Sequence, residues 1–217
     1  QIRIKNFGPI KAGLEDNHGF MNIKKVTTFI GNQGSGKSTV AKLISTMTWL
    51  EKGLHRGDLS IKEVTTPNRL INNYCKYQGL ENYFQPNTEI EYHGDAYFFH
   101  YHSGNFSVTK GDNEENYKMP KIMYIPAERN FVSAVSRPDR LKGLPSPLLT
   151  FLTEYEKAQD ALKSNIKLPI NNVEFEYDKL NKVSNISDGK YKIRLTQASS
   201  GFQSAAPLFI VSQFLAK

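Results

Sequence analysis

Apolar and polar positions alternate from the first residues of the chain. Ile2, Ile4 and Phe7 are separated by Arg3 and Lys5, which predicts a strand with one buried face and a turn over residues 6–9. Residues 25–30 are β-branched and apolar up to Gly31, and they predict a buried strand. From Lys37 the period changes. Val40, Leu43, Ile44 and Met47 fall at helical spacing, and Gly53 is expected to close that helix. Thr66 and Pro67 suggest a further helix start, with Leu70, Ile71 and Tyr74 on one face. Residues 88–110 are rich in Tyr, Phe and His, with Gly94 and Gly104 as breaks, and predict short antiparallel strands joined by hairpins. Another strand is expected over 121–125, stopped by Pro126. Pro145 and Pro147 open an amphipathic helix whose apolar side carries Leu148, Leu149, Leu152, Tyr155 and Leu162. Strand-like runs at 173–177 and 191–196 precede a last helix that starts near Gly201. The chain shows no internal repeat and no low-complexity segment.

With 217 residues the chain has room for one large domain, or one domain carrying an insertion. Apolar residues make up 39% and charged residues 23%, an ordinary globular balance. The single cysteine, Cys75, has no internal disulfide partner and reads as a small apolar filler in a reducing compartment. No stretch approaches the roughly 18 apolar residues of a membrane span. Residues 205–216 come nearest, and they are short and interrupted by Ser212 and Gln213. The first residues lack the apolar core of a signal peptide, so the expectation is a soluble, cytoplasmic protein without a membrane partner. A formal net charge of +7 favours anionic partners, nucleic acid first. The lysines and arginines are scattered, and a nucleotide site accounts for some of them.

The segment Gly31-Asn32-Gln33-Gly34-Ser35-Gly36-Lys37-Ser38-Thr39 satisfies GxxxxGK[ST] in full, between a predicted strand and a predicted helix. Each residue type has a reason. Gly31, Gly34 and Gly36 allow backbone conformations closed to other residues and a close approach to phosphate oxygens. Successive N–H groups and the positive end of the following helix form an anion-binding nest. Lys37 is placed to put its ammonium on the β- and γ-phosphates of ATP, and the Ser38 hydroxyl to ligate Mg2+.

Near the other end stands Ser199-Ser200-Gly201-Phe202-Gln203, which resembles the LSGGQ signature of ABC-type ATPases at Ser200, Gly201 and Gln203. Ser replaces Leu at its first position and Phe replaces Gly at its fourth. The opening Ile2-Arg3-Ile4-Lys5-Asn6-Phe7-Gly8-Pro9-Ile10 resembles the start of SMC, RecF and OLD-type ATPases. The stretch Tyr124-Ile125-Pro126-Ala127-Glu128-Arg129-Asn130 and the residues 199–208 resemble segments of the OLD-like branch. The resemblance implies an α/β P-loop NTPase fold of ABC type over residues 1–217. A mixed central sheet is expected around the P-loop helix, with an antiparallel β element (a possible insertion at 54–110) and a helical segment. It further implies ATP binding and hydrolysis that close a homodimer, with Ser200 and Gln203 acting in trans on the partner's nucleotide. The work driven is action on DNA or RNA, in genome maintenance or phage defense. An ABC transporter subunit and a non-catalytic ATP-gated scaffold are the alternatives.

Two departures qualify the resemblance. ABC-type cores carry an apolar strand ending in Asp-Glu after the signature helix, and a switch histidine. No such pair follows Gln203 in this sequence, so the expectation is an incomplete head that binds ATP better than it hydrolyses it. The glutamine that normally contacts Mg2+ between the two motifs has no clear counterpart, and Glu128 or Arg129 is the substitute considered. A surface Glu–Arg pair is the simpler reading. His100 and His102 would share one strand face, a spacing a metal could use. The sequence shows no cysteine or carboxylate cluster to complete a set with them or with His93, so sheet histidines are the better reading. Tyr97, Phe98, Phe99, Tyr101 and Phe106 offer either base-stacking faces or, more simply, core. Arg129, Arg137, Arg140 and Lys142 form either a phosphate-contacting loop or a solvated one.

Overall fold

The computed structural model describes residues 1–14, 16–111, 113–135 and 141–216, which divide into two compact units, Gln1–Ile122 and Met123–Lys217. In the first unit, strand β1 (Ile2–Phe7) is followed by helix α1 (Lys37–Arg56) and a short helix α2 (Ile61–Val64). A helical turn at Leu70–Cys75 comes next, then strands β2 (Phe84–His93), β3 (Tyr97–His102) and β4 (Asn105–Lys110). The strands form one antiparallel sheet in the order β1-β2-β3-β4. The residues 84–110 are therefore continuous with the N-terminal strand and not a separate appendage.

The odd spacing of the buried residues in β1 has a local cause. Asn6 takes a left-handed φ of 51°, and the register against β2 shifts between Lys5 and Phe7. This bulge places Phe7 on the same face as Ile2 and Ile4, and all three are fully buried. Between β3 and β4, Ser103 (φ 47°) and Gly104 (φ 87°) make the two-residue turn whose twist suits a hairpin. Val40, Leu43, Met47, Leu50 and Leu54 of α1 join Ile2, Ile4, Phe7, Ile90, Tyr92 and Phe99 in one hydrophobic cluster. Cys75 is buried in that cluster, and burial pushes its thiol up to about 12, consistent with an apolar filler.

Helix α1 does not stop at Gly53. It runs to Arg56 and is closed by Gly57, in the left-handed conformation at φ 79°, whose N–H reaches Leu54 O at 3.1 Å. Gly53 stays inside the helix because Leu59 lies against it: a Cβ there would meet Leu59 Cδ1 at 2.8 Å.

The second unit holds a seven-residue 3-10 segment at Ala127–Ser133 and helix α3 (Ser146–Asp160). Strands β5 (Ile166–Lys167), β6 (Glu174–Asp178), β7 (Val183–Ser187) and β8 (Lys192–Arg194) then make a second antiparallel sheet in sequence order. A 3-10 turn at Leu195–Gln197 leads into helix α4 (Ser200–Leu215). Phe151, Leu152 and Tyr155 of α3 share a core with Phe175, Ile186 and Leu195, and with Ala206, Ile210 and Val211 of α4. Leu149, expected on the apolar face of α3, is 45% exposed, and Phe151 takes the buried place instead.

The mixed central sheet expected from the sequence is not present among the described residues, where both sheets are wholly antiparallel. Residues 25–30 and 121–125, the two apolar runs read as strands, pair with no neighbour. Val26 is 82% and Ile30 93% exposed. An apolar extended segment becomes a strand only when its N–H and C=O groups meet a ladder, and these two segments meet none. No helix among the described residues is long and apolar enough to cross a membrane.

Candidate phosphate-binding site

The loop over residues 31–36 leads into the N-terminus of α1, and two of its three glycines take the left-handed conformation, while Gly31 does not. Gly34 lies at φ 80° and Gly36 at φ 96°, both left-handed. Gly36 is also sterically committed, since a Cβ there would meet Ile10 Cγ1 at 2.7 Å and Pro9 Cγ at 3.4 Å. The turn after β1 therefore sits directly on the end of the loop. Ser35 N donates to Asn32 O at 3.3 Å, which tightens the loop, and Val40 N donates to Gly36 O at 2.9 Å as the first helical bond.

The helix end is open to an anion. Gly36 offers no side-chain cap, and the first turn of α1 carries no acidic residue. The N–H groups of Lys37, Ser38 and Thr39 precede the first helical bond, so the positive end of a 20-residue helix is uncompensated. Ser38 is exposed, while Thr39 is buried at 6% exposure and belongs to the packing. The Lys37 ammonium is folded over the loop, donating to Gly31 O at 2.7 Å and Asn32 O at 2.6 Å, with Ser35 Oγ at 3.5 Å. Gly31, Asn32, Ser35 and Lys37 thus form a closed ring of contacts, with Gln33 and Gly34 exposed at its tip.

No family model matches this chain, and no curated protein or solved structure matches it significantly. The functional reading rests on the residues themselves.

In the second unit, Ser199 is the N-terminal boundary residue of α4, and Ser200 and Gly201 form its exposed first turn, which holds no acidic residue. Ser199 makes no side-chain cap bond. A Cβ on Gly201 would touch nothing closer than Ser199 Oγ at 3.8 Å, so no contact within the chain demands glycine there. Gln203 behaves differently from the sequence expectation of a residue turned toward a partner's nucleotide. Its carboxamide donates to Thr196 O at 3.1 Å and Ala198 O at 2.9 Å, which ties the entry turn to the helix. Ser133 Oγ donates to Gln203 O at 2.6 Å, so the 3-10 segment is fastened to the same point.

Glu128 shares a shallow depression with Asn130, Phe131, Leu148 and Gln203. The two sequence candidates Glu128 and Gln203 are thereby brought together, and the expected Glu128–Arg129 pair is not found among the described residues. Arg129 Nε is buried without a hydrogen-bond partner there. Lys142 is exposed, and Arg137 and Arg140 lie outside the described residues.

Two features carried no sequence signal. One is a cleft of about 460 Å³ between α3 and β7, lined by Tyr155, Gln159, Ser184 and Arg194, in which Gln159 Nε2 donates to Ser184 Oγ at 2.7 Å. The other is Glu51, a carboxylate at 2% exposure inside α1.

Proposed function

We propose that this chain binds ATP with Mg2+ at residues 31–39, and that bound ATP joins two copies through the Ser199–Gln203 end of α4 in a protein that acts on DNA or RNA. The observation that carries the reading is the open N-terminus of α1 behind a complete phosphate-loop motif whose Gly34 and Gly36 are left-handed. The residues fit a polyphosphate. Lys37 already holds its ammonium over the loop on two carbonyl oxygens, and phosphate oxygens are stronger acceptors for the same donor. The Ser38 hydroxyl is exposed beside it and would hold the Mg2+ that accompanies the triphosphate.

Mg2+ supplies charge neutralisation at those phosphates, and the chain supplies position. The loop N–H groups orient the triphosphate, Lys37 neutralises it, and Ile10 and Pro9 hold Gly36 in place beneath it. The exposed N-terminus of α4, with Ser200 and Gly201, is a second anion receptor suited to the γ-phosphate of another copy. The net charge of +7 supports an anionic polymer as the larger partner.

Isothermal titration of Mg·ATP into the protein tests the reading. Lys37→Ala removes one charge-assisted contact worth about 1.5–3 kcal/mol, so its affinity should fall roughly tenfold to a hundredfold. Equal affinity in wild type and variant, or no binding by the wild type, would refute the site.

A further inference from the structure

The sheet of the first unit has a solvent face as well as a core face, and its side chains line up in two rows across the strands. One row is Arg3, Glu91 and His100, and the other is Lys5, Glu89 and His102, set by the registers Arg3↔Glu91↔His100 and Lys5↔Glu89↔His102. The carboxylates of β2 therefore stand between cations on β1 and imidazoles on β3. Arg3 Nη2 donates to both Glu89 Oε1, at 2.8 Å, and Glu91 Oε1, and Lys5 Nζ donates to Glu89 Oε2 at 3.2 Å. On the other side, one ligand atom each from Glu89, Glu91 and His100 lies within 4.8 Å of the others. The His100 and His102 rings are nearly parallel, 9° apart in plane, with centroids separated by 6.2 Å.

We infer that Glu89, Glu91 and His100 form a surface site for a borderline transition-metal ion of the Zn2+ class, with His102 as the neighbouring fourth donor. Donors on one Zn2+ sit about 2.0–2.2 Å from the ion, so pairs of them lie within roughly 4.4 Å of each other. The spread of 4.8 Å closes by rotation of the exposed His100 side chain toward the half-buried Glu89 and Glu91 carboxylates. Imidazole selects the metal class. Arg3 and Lys5 balance Glu89 and Glu91 one for one, so the row has no net negative charge to hold Ca2+ or Mg2+, and a nitrogen donor is what remains. The same two cations take the role of outer-sphere partners, because a carboxylate oxygen has a second lone pair after accepting a hydrogen bond. The site lies on the sheet, and a strand pair holds its ligand spacing better than a loop does.

The test uses the full chain without nucleotide, titrated with ZnCl2 against a chromophoric chelator. The expected result is one equivalent of Zn2+ bound by the wild type. Affinity should fall at least tenfold in His100→Gln and by a smaller factor in His102→Gln, and should be unchanged in His18→Gln and His55→Gln. His100 and His102 are exposed, so neither substitution threatens the fold, and far-ultraviolet circular dichroism confirms that. His93→Gln separates the neighbouring arrangement, in which His93 Nε2 stands 3.7 Å from Glu91 Oε2. No Zn2+ binding up to millimolar concentration overturns the inference, as does affinity indifferent to His100→Gln, or a loss caused by His93→Gln alone.

Discussion

Glu51 enters α1 four residues after Met47, where the helical period asks for an apolar side chain, and it is nevertheless 2% exposed. Its neighbours explain why it is tolerated. Oε1 accepts from Ala96 N at 2.7 Å and Tyr97 N at 3.2 Å, and Oε2 accepts from the Tyr92 hydroxyl at 2.9 Å. The carboxylate thus satisfies the turn between β2 and β3 and fastens that hairpin to α1. Burial, together with the Glu51 charge, pushes the Tyr92 hydroxyl above its ordinary range, so Tyr92 remains a donor to it. Glu51→Ala leaves two buried N–H groups unpaired and the Tyr92 hydroxyl with only Thr48 Oγ1, at 3.3 Å, and should lower unfolding stability by about 3 kcal/mol in urea titration. Glu51→Gln keeps an acceptor for Ala96 and Tyr97, and its amide can donate to Tyr92, so the cost should be less than half as large. Equal costs would show that charge, and not hydrogen bonding, holds the hairpin.

At the scale of elements, the second sheet relies on its turns. Asp178 Oδ1 accepts from Leu180 N and Asn181 N, both at 3.0 Å, and its Oδ2 accepts from Asn181 Nδ2 at 2.7 Å. Asp188 Oδ1 accepts from Lys190 N at 2.9 Å and Tyr191 N at 3.1 Å. The Asn181 amide, first among its partners, holds the Asp178 carboxyl below the usual range, and the Lys190 N–H does the same for Asp188. A carboxylate with a depressed folded pKa binds fewer protons folded than unfolded. Its contribution is complete above the unfolded value near 3.9 and is lost as pH falls through the folded value. The denaturation midpoint followed on the second unit should therefore drop as the pH falls below about 5. In the Asp178→Asn, Asp188→Asn double variant the drop should be shallower. An identical pH profile would remove these two turns from the acid sensitivity.

In the proposed ATP-joined dimer, two helix N-termini would act as anion receptors, one in each unit: the start of α1 behind Lys37 and the start of α4 at Ser200. An ATP joining two copies needs both. Light scattering should show the mass doubling when Mg2+ and a non-hydrolysable ATP analogue are added. Lys37→Ala and Ser200→Glu should each remain monomeric, the first by losing the ligand and the second by setting a carboxylate against its phosphates. Doubling that persists in Ser200→Glu would place the interface elsewhere on the surface.

Much of this protein was written in its residue pattern, because the relevant physics is local. Motif spacing marks residues 31–39 as the candidate phosphate loop, and the left-handed φ of Gly34 and Gly36 follows from what glycine alone adopts easily. The hairpins at 88–110, α1 and the start of α4 follow from periodicity and turn residues. Tertiary pairing decided the rest. Residues 25–30 have the composition of a strand and yet remain unpaired, since a ladder is made by neighbours and not by propensity. Gln203 reads in sequence as a residue for another subunit, and the turn folded beneath it consumes its amide. Cross-strand register, which no single strand encodes, set Glu91 opposite His100 and Glu89 opposite His102 and completed a donor set that the sequence left open.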